Sequence, residues 1–101
     1  MNEAVFREVN ERIEDLAQAF GLGGQLLELV CECGNGSCTQ QISMSAPEYE
    51  SMRKEATLFA VYPGHEIPEV EDVVAKHDRY DIVRKHAGEP AEYARKTDPR
   101  T

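Results

Sequence analysis

"CECGNGSC", residues 31–38, holds all three cysteines of the chain around a glycine-bearing turn. The stretch can be a disulfide, a redox pair or part of a metal site. An odd count leaves one thiol without a mate in any disulfide scheme, and in a reducing compartment clustered thiols stay reduced. Buried structural cysteines scatter along the elements they pack, whereas these fall together and none lies elsewhere. Cys33 and Cys38 are separated by "GNGS", within the usual C-x(2–4)-C spacing that lets two thiolates converge on one ion. Gly34 and Gly36 offer the backbone freedom for so sharp a turn, whose N–H groups can donate to sulfur. Cys31 and Cys33, two apart, share one face of a strand. Metal binding is the preferred reading.

Three thiolates leave one corner of a tetrahedron open. His65 is the first candidate, because Pro63 and Gly64 in "YPGHE" set a turn straight after an apolar strand. His77, in the polar "HDR" turn, is the second, and His86, near the start of the tail, is the weakest. Thiolate-rich tetrahedral sites select zinc, so the expected cofactor is one structural zinc held by Cys31, Cys33, Cys38 and His65. That shell is closed and leaves no position for substrate. Only a water in place of His65 would open it, with Glu66 or Asp78 as a base.

The cysteines sit at the tip of a hairpin, since "QLLELVCEC" (25–33) and "CTQQISM" (38–44) both alternate apolar and polar residues. Upstream, Phe6, Val9, Ile13, Leu16 and Phe20 recur at helical spacing and draw one apolar stripe. Glu3 with Arg7 and Glu8 with Arg12 form i,i+4 pairs on its wet side. Gly21, Gly23 and Gly24 end the helix. The stripe is expected to pack on the protein's own sheet. A homodimer seam is its alternative use, although fewer than three heptads are present.

Downstream, Ser45 and Glu48 make a capping box with Pro47 in the first turn, starting a helix over 46–55 that buries Tyr49 and Met52. "LFAVYPG" reads as a short buried strand. Residues 69–78 have both helical and strand spacings; a hairpin around "HDR" is preferred because "YDIVRK" needs a partner. From Gly88 onward apolar residues are few, so 88–101 is expected to be a flexible tail or a frayed helix. The expectation is a single α+β domain over residues 1–87, with a small antiparallel sheet, an N-terminal amphipathic helix and a zinc-bearing hairpin.

The formal charge of −8 is uneven. Residues 1–78 carry fifteen acidic and five basic side chains, and residues 79–101 carry four and six. Such a body repels a phosphate backbone, so nucleic acid is disfavoured as a partner and a basic protein surface is favoured. The N-terminus is charged from Glu3 and lacks an apolar core segment, and no run of about 18 apolar residues occurs, so a cytoplasmic location without a membrane partner is expected. "GLGG" (21–24) follows a helix and precedes a strand, the reverse of a phosphate loop. Glu48 with Glu50, and Glu69 through Asp72, lack the spacing of a calcium loop and read as solvated faces.

The order "FREVNERI … CEC-x4-C … EYE-x2-R … F-x-V-x-PGHE-x-PE", over roughly Phe6 to Lys85, resembles a group of small, mostly uncharacterised bacterial proteins. The resemblance implies that Cys31, Cys33, Cys38 and His65 belong to the defining pattern of that group, and it carries no activity over. The function expected from the residues is a zinc-stabilised regulatory or protein-interaction module without catalysis. The alternative is a small zinc enzyme or a thiol-based redox or metal sensor.

Overall fold

Alternation of apolar and polar residues builds the first hairpin, in which β1 (Leu26–Val30) pairs with β2 (Gln41–Ser45). The antiparallel register sets Leu27 against Met44 and Leu29 against Ile42, and all four are buried. The computed structural model describes residues 2–21, 24–35 and 37–100. Ser45 ends β2 and caps helix α1's successor in the chain, a short helix over Ala46–Met52, with the expected capping box complete: Glu48 N–H donates to Ser45 Oγ, and Ser45 N–H to Glu48 Oε1. Numbered in chain order, the N-terminal helix over Asn2–Ala19 is α1 and this one is α2. Strand β3 (Leu58–Val61) is buried throughout.

Within residues 69–78 the strand alternative holds: β4 (Glu71–Lys76) pairs antiparallel with β5 (Asp81–Lys85), with an irregularity between Val73 and Ala75. The strands thus form two antiparallel sheets, β1-β2 and β3-β5-β4. The α+β class and the N-terminal helix are as expected, with the strands shared between two sheets where one was anticipated.

Helix α1 differs most from expectation. Val9, Leu16 and Phe20 of the apolar stripe are exposed, and only Phe6 and Ile13, at its edge, are half-buried. The face turned inward carries Arg7, Asn10, Glu11, Glu14 and Ala17. It wins because each of those polar side chains meets a complementary group, with Arg7 Nε the one buried polar atom of theirs left without a partner among the described residues. Arg7 leaves the expected Glu3 pair and donates to the carbonyls of Ala56 and Ala94, both at 2.6 Å, with its guanidinium 4.4 Å above the Phe59 ring. Asn10 accepts from Val30 N–H at 2.9 Å and donates to Val30 O at 2.8 Å, completing the end of β1 as another strand would. Glu11 accepts from Arg53 Nε and Arg100 Nε, each at 2.7 Å. The Glu8–Arg12 pair stands on the wet side as expected, at 3.2 Å.

The stretch from Gly88, expected to be a flexible tail or a frayed helix, forms a packed helix α3 (Glu89–Lys96) with Ala91 and Ala94 buried. Alanines carry little hydropathy, yet they allow close approach to the sheet, which is why a count of apolar residues did not foresee the packing. Glu71, expected on a solvated face, is buried with its carboxylate 2.6 Å from Lys85 Nζ. Gly21 ends α1 at φ +73°; Gly23 and Gly36 lie outside the described residues.

The two sheets are joined at Glu32. Its N–H donates to Ala60 O at 2.8 Å, and its Oε1 accepts from Ala60 N–H at 2.9 Å, so backbone and side chain together grip one residue of β3. Its Oε2 accepts from Tyr49 OH at 2.6 Å and Asn10 Nδ2 at 2.8 Å. All three partners are donors, so an amide in place of the carboxylate must turn an NH2 toward one of them. Glu32→Gln is therefore expected to lose about 1–3 kcal/mol of stability, the cost of an unsatisfied buried group. Urea unfolding of the two proteins, compared at equal m-value, measures it.

Candidate metal centre

Cys31 and Cys33 lie on the continuation of β1 past Val30, where Cys31 N–H still donates to Gln40 O at 3.1 Å and keeps the chain extended. Both side chains therefore emerge on one side and Glu32 on the other. Both thiols are buried, packed with Phe59, Val61, Val83 and Ala94. The return to Cys38 is shaped by Asn35: its side-chain Oδ1 accepts from Ser37 N–H at 2.9 Å and its carbonyl from Cys38 N–H at 3.0 Å. Gly34 does not adopt a left-handed conformation; its requirement is space. A Cβ there would lie 2.7 Å from Glu3 Oε2 and 3.2 Å from Ile67 Cδ1.

His65 comes from the turn after β3. Its N–H donates to Tyr62 O at 2.9 Å, Pro63 stands second in the turn and Gly64 third at φ +87°, the pattern of a type II turn. Buried Asp81, at the start of β5, accepts from Gly64 N–H at 3.2 Å and ties the turn to the sheet. The imidazole thus reaches the cysteines from a fixed base, its ring centroid 5.1 Å from that of Tyr62.

The ligand atoms of Cys31, Cys33, Cys38 and His65 all lie within 4.8 Å of one another, close enough to hold one metal ion. His65 Nδ1 is 3.5 Å from Cys38 Sγ and 3.8 Å from Cys31 Sγ. With metal–sulfur bonds of about 2.3 Å and metal–nitrogen bonds of about 2.0 Å, two corners of a tetrahedron are about 3.6 Å apart, so these distances fit a shared ion. The other two histidines are engaged elsewhere. His77 stacks on Tyr80 with centroids 4.5 Å apart, and His86 Nε2 is 3.2 Å from Asp72 Oδ1.

Burial pushes the Cys31 thiol up to about 12, against hydrogen bonds from the Tyr62 and Cys33 backbones that pull the other way. The Tyr62 N–H···Sγ distance is 3.0 Å. The described N–H donors to Cys31 thus come from the end of β3 and from Cys33 itself, and Tyr62 had no sequence cue. Cys33 is also raised, again chiefly by burial. Near neutral pH both thiols meet an incoming ion protonated, and only the metal makes them thiolates.

Glu32 was missed as well, although "CEC" contains the signal: when Cys31 and Cys33 share a face, the residue between them points into the opposite layer. Burial raises its pKa, while Tyr49, Asn10 and the Ala60 N–H act to stabilise its charge. No family model, curated protein or solved structure matches the chain.

Two outcomes test this geometry. Loading one divalent ion at pH 7 is expected to expel at least two protons, from Cys31 and Cys33, read with an indicator dye in weak buffer. Affinity should accordingly rise with pH, because the ion competes with those protons. Gly64→Ala forces a side chain into the left-handed region at a cost of about 1–2 kcal/mol. The turn can relax only by withdrawing His65, so ion affinity should fall roughly 5- to 30-fold in a competitive chelator titration.

Proposed function

We propose that the chain is a zinc-stabilised, non-catalytic module for protein interaction or regulation. The observation that carries this reading is the tetrahedral spacing of His65 Nδ1 from two of the three clustered sulfurs. Three soft thiolates with one imidazole favour zinc over the hard cations. With all four corners supplied by protein, the ion has no position for water or substrate, and its role is to pin the hairpin knuckle to the turn after β3.

The partner surface follows from charge. A chain of net charge −8 suits a protein partner with a basic face and repels nucleic acid. No helix among the described residues is long and apolar enough to cross a membrane. Helix α1 supplies a second contact surface through its exposed residues.

Purified protein is expected to contain one zinc per chain by elemental analysis. Cys33→Ser and Cys38→Ser should lose it and lower Tm by about 10 °C or more, since each kcal/mol moves Tm by about 4–8 °C at this size. A strong chelator should produce the same drop in the unmodified chain. Full metal content in both variants would overturn the assignment.

A further inference from the structure

Val5, Val9, Leu16 and Phe20 are 57, 39, 59 and 75% exposed, large apolar side chains that the rest of the described chain leaves uncovered. At 100° per residue they fall within an arc of about 60° on α1 opposite the buried polar face, a ridge of two apolar pairs about two turns apart. Phe20 belongs to it because its N–H still bonds to Leu16 O at 3.1 Å. The ridge is a palindrome. Positions 5 and 20 share their midpoint with positions 9 and 16, between Arg12 and Ile13.

We propose that this ridge is a self-association surface, on which α1 of a second copy packs antiparallel about a two-fold axis at that midpoint. Val5 then meets Phe20 of the second copy, and Val9 meets its Leu16, each contact made twice as a two-fold interface requires.

Charge selects a second copy over a basic partner here. The inward acids of α1 are already paired, Glu11 with Arg53 and Arg100, Glu14 with Arg100, and Glu3 with Lys85. Beside the ridge stand only Glu8, Arg12 and Asp15, close to neutral in a strongly acidic chain. In an antiparallel two-fold pair each flank faces its own copy, which brings Arg12 beside Asp15 of the second molecule and adds two ion pairs. In a parallel two-fold pair each flank faces the opposite flank, so Arg12 would not meet Asp15 of the second copy. The strip is roughly 24 Å long and 10 Å wide on each copy, smaller than the roughly 800 Å² per partner of a standard interface. The dimer is therefore weak and concentration-dependent.

This inference rests on the reading of α1 as a contact surface and does not depend on the metal. Sedimentation equilibrium of the metal-loaded full chain is expected to show monomer at about 5 μM and mostly dimer at about 500 μM. Leu16→Glu and Phe20→Glu, at exposed positions, should weaken association at least tenfold with Tm and zinc content unchanged. Arg12→Asp should weaken it, and Arg12→Asp combined with Asp15→Arg should restore it. A wild type that stays monomeric at 500 μM, or a dimer indifferent to both glutamate variants, overturns the proposal; failure of the charge swap to restore association overturns the antiparallel arrangement. Zinc content and Tm, measured alongside, report separately on the metal site.

Discussion

The carboxylate of Glu32 sits where three layers meet, and the relation between the layers runs through it. Strands β1 and β2 form one sheet and β3, β5 and β4 another, and the bridge between them is made by Glu32 gripping both polar groups of Ala60. Asn10 of α1 and Tyr49 of α2 complete its shell. A buried carboxylate is costly to desolvate, and its worth lies in the arrangement it permits, since only one placement of the four segments satisfies it. The candidate metal ligands inherit that placement. Cys31 and Cys33 are its sequence neighbours, while His65 hangs from the strand that Glu32 holds.

The same principle explains the inverted helix. Burying Arg7, Asn10, Glu11 and Glu14 where Val9, Leu16 and Phe20 were available forgoes hydrophobic stabilisation of about 1.5–3 kcal/mol per large side chain. What it provides is a set of directional bonds. Arg7 links α1 to the Ala56 carbonyl and to α3, Asn10 replaces a missing strand at the end of β1, and Glu11 gathers Arg53 and Arg100. Arg53 also pairs with Asp98, so α1, the end of α2 and the segment after α3 form one charged network. An apolar face could slide along the helix axis; this one fixes rotation and register together.

Elements specified by local chemistry were legible in the sequence. The first hairpin followed from period-two alternation, α2 from its capping box, and the position of His65 from Pro63 and Gly64. The four side chains that lie within 4.8 Å of one another could be picked as candidates because thiols and imidazoles carry their own chemistry and the turns around them were readable. The failures share one cause: they concern side chains whose surroundings come from distant segments. The inward face of α1 depends on Ala56, Ala94, Arg53 and Arg100, which lie up to 89 residues away. Helix α3 depends on a sheet surface that accepts Ala91 and Ala94. Hydropathy ranks residues by what they do in isolation, so it places a ridge inside even when a better-satisfied polar face exists.

An ion at the candidate site and Glu32 would act on the same joint from opposite sides. Glu32 fixes β1 to β3 through the core, and an ion held by Cys38 and His65 would fix the knuckle to the turn across 27 residues of chain. Their dependence on protons differs. Burial raises both Glu32 and Cys31, yet the Glu32 carboxylate is surrounded by three donors, whereas Cys31 without an ion can simply keep its proton and remain an apolar core group. Loss of such an ion would therefore leave no cluster of buried thiolate charges to drive the sheets apart. It would free the knuckle and the His65 turn, while the Glu32 bridge and the α1 network still hold the two sheets. An ion there would fasten the knuckle to the His65 turn on a scaffold whose architecture is set by polar contacts deeper in the chain.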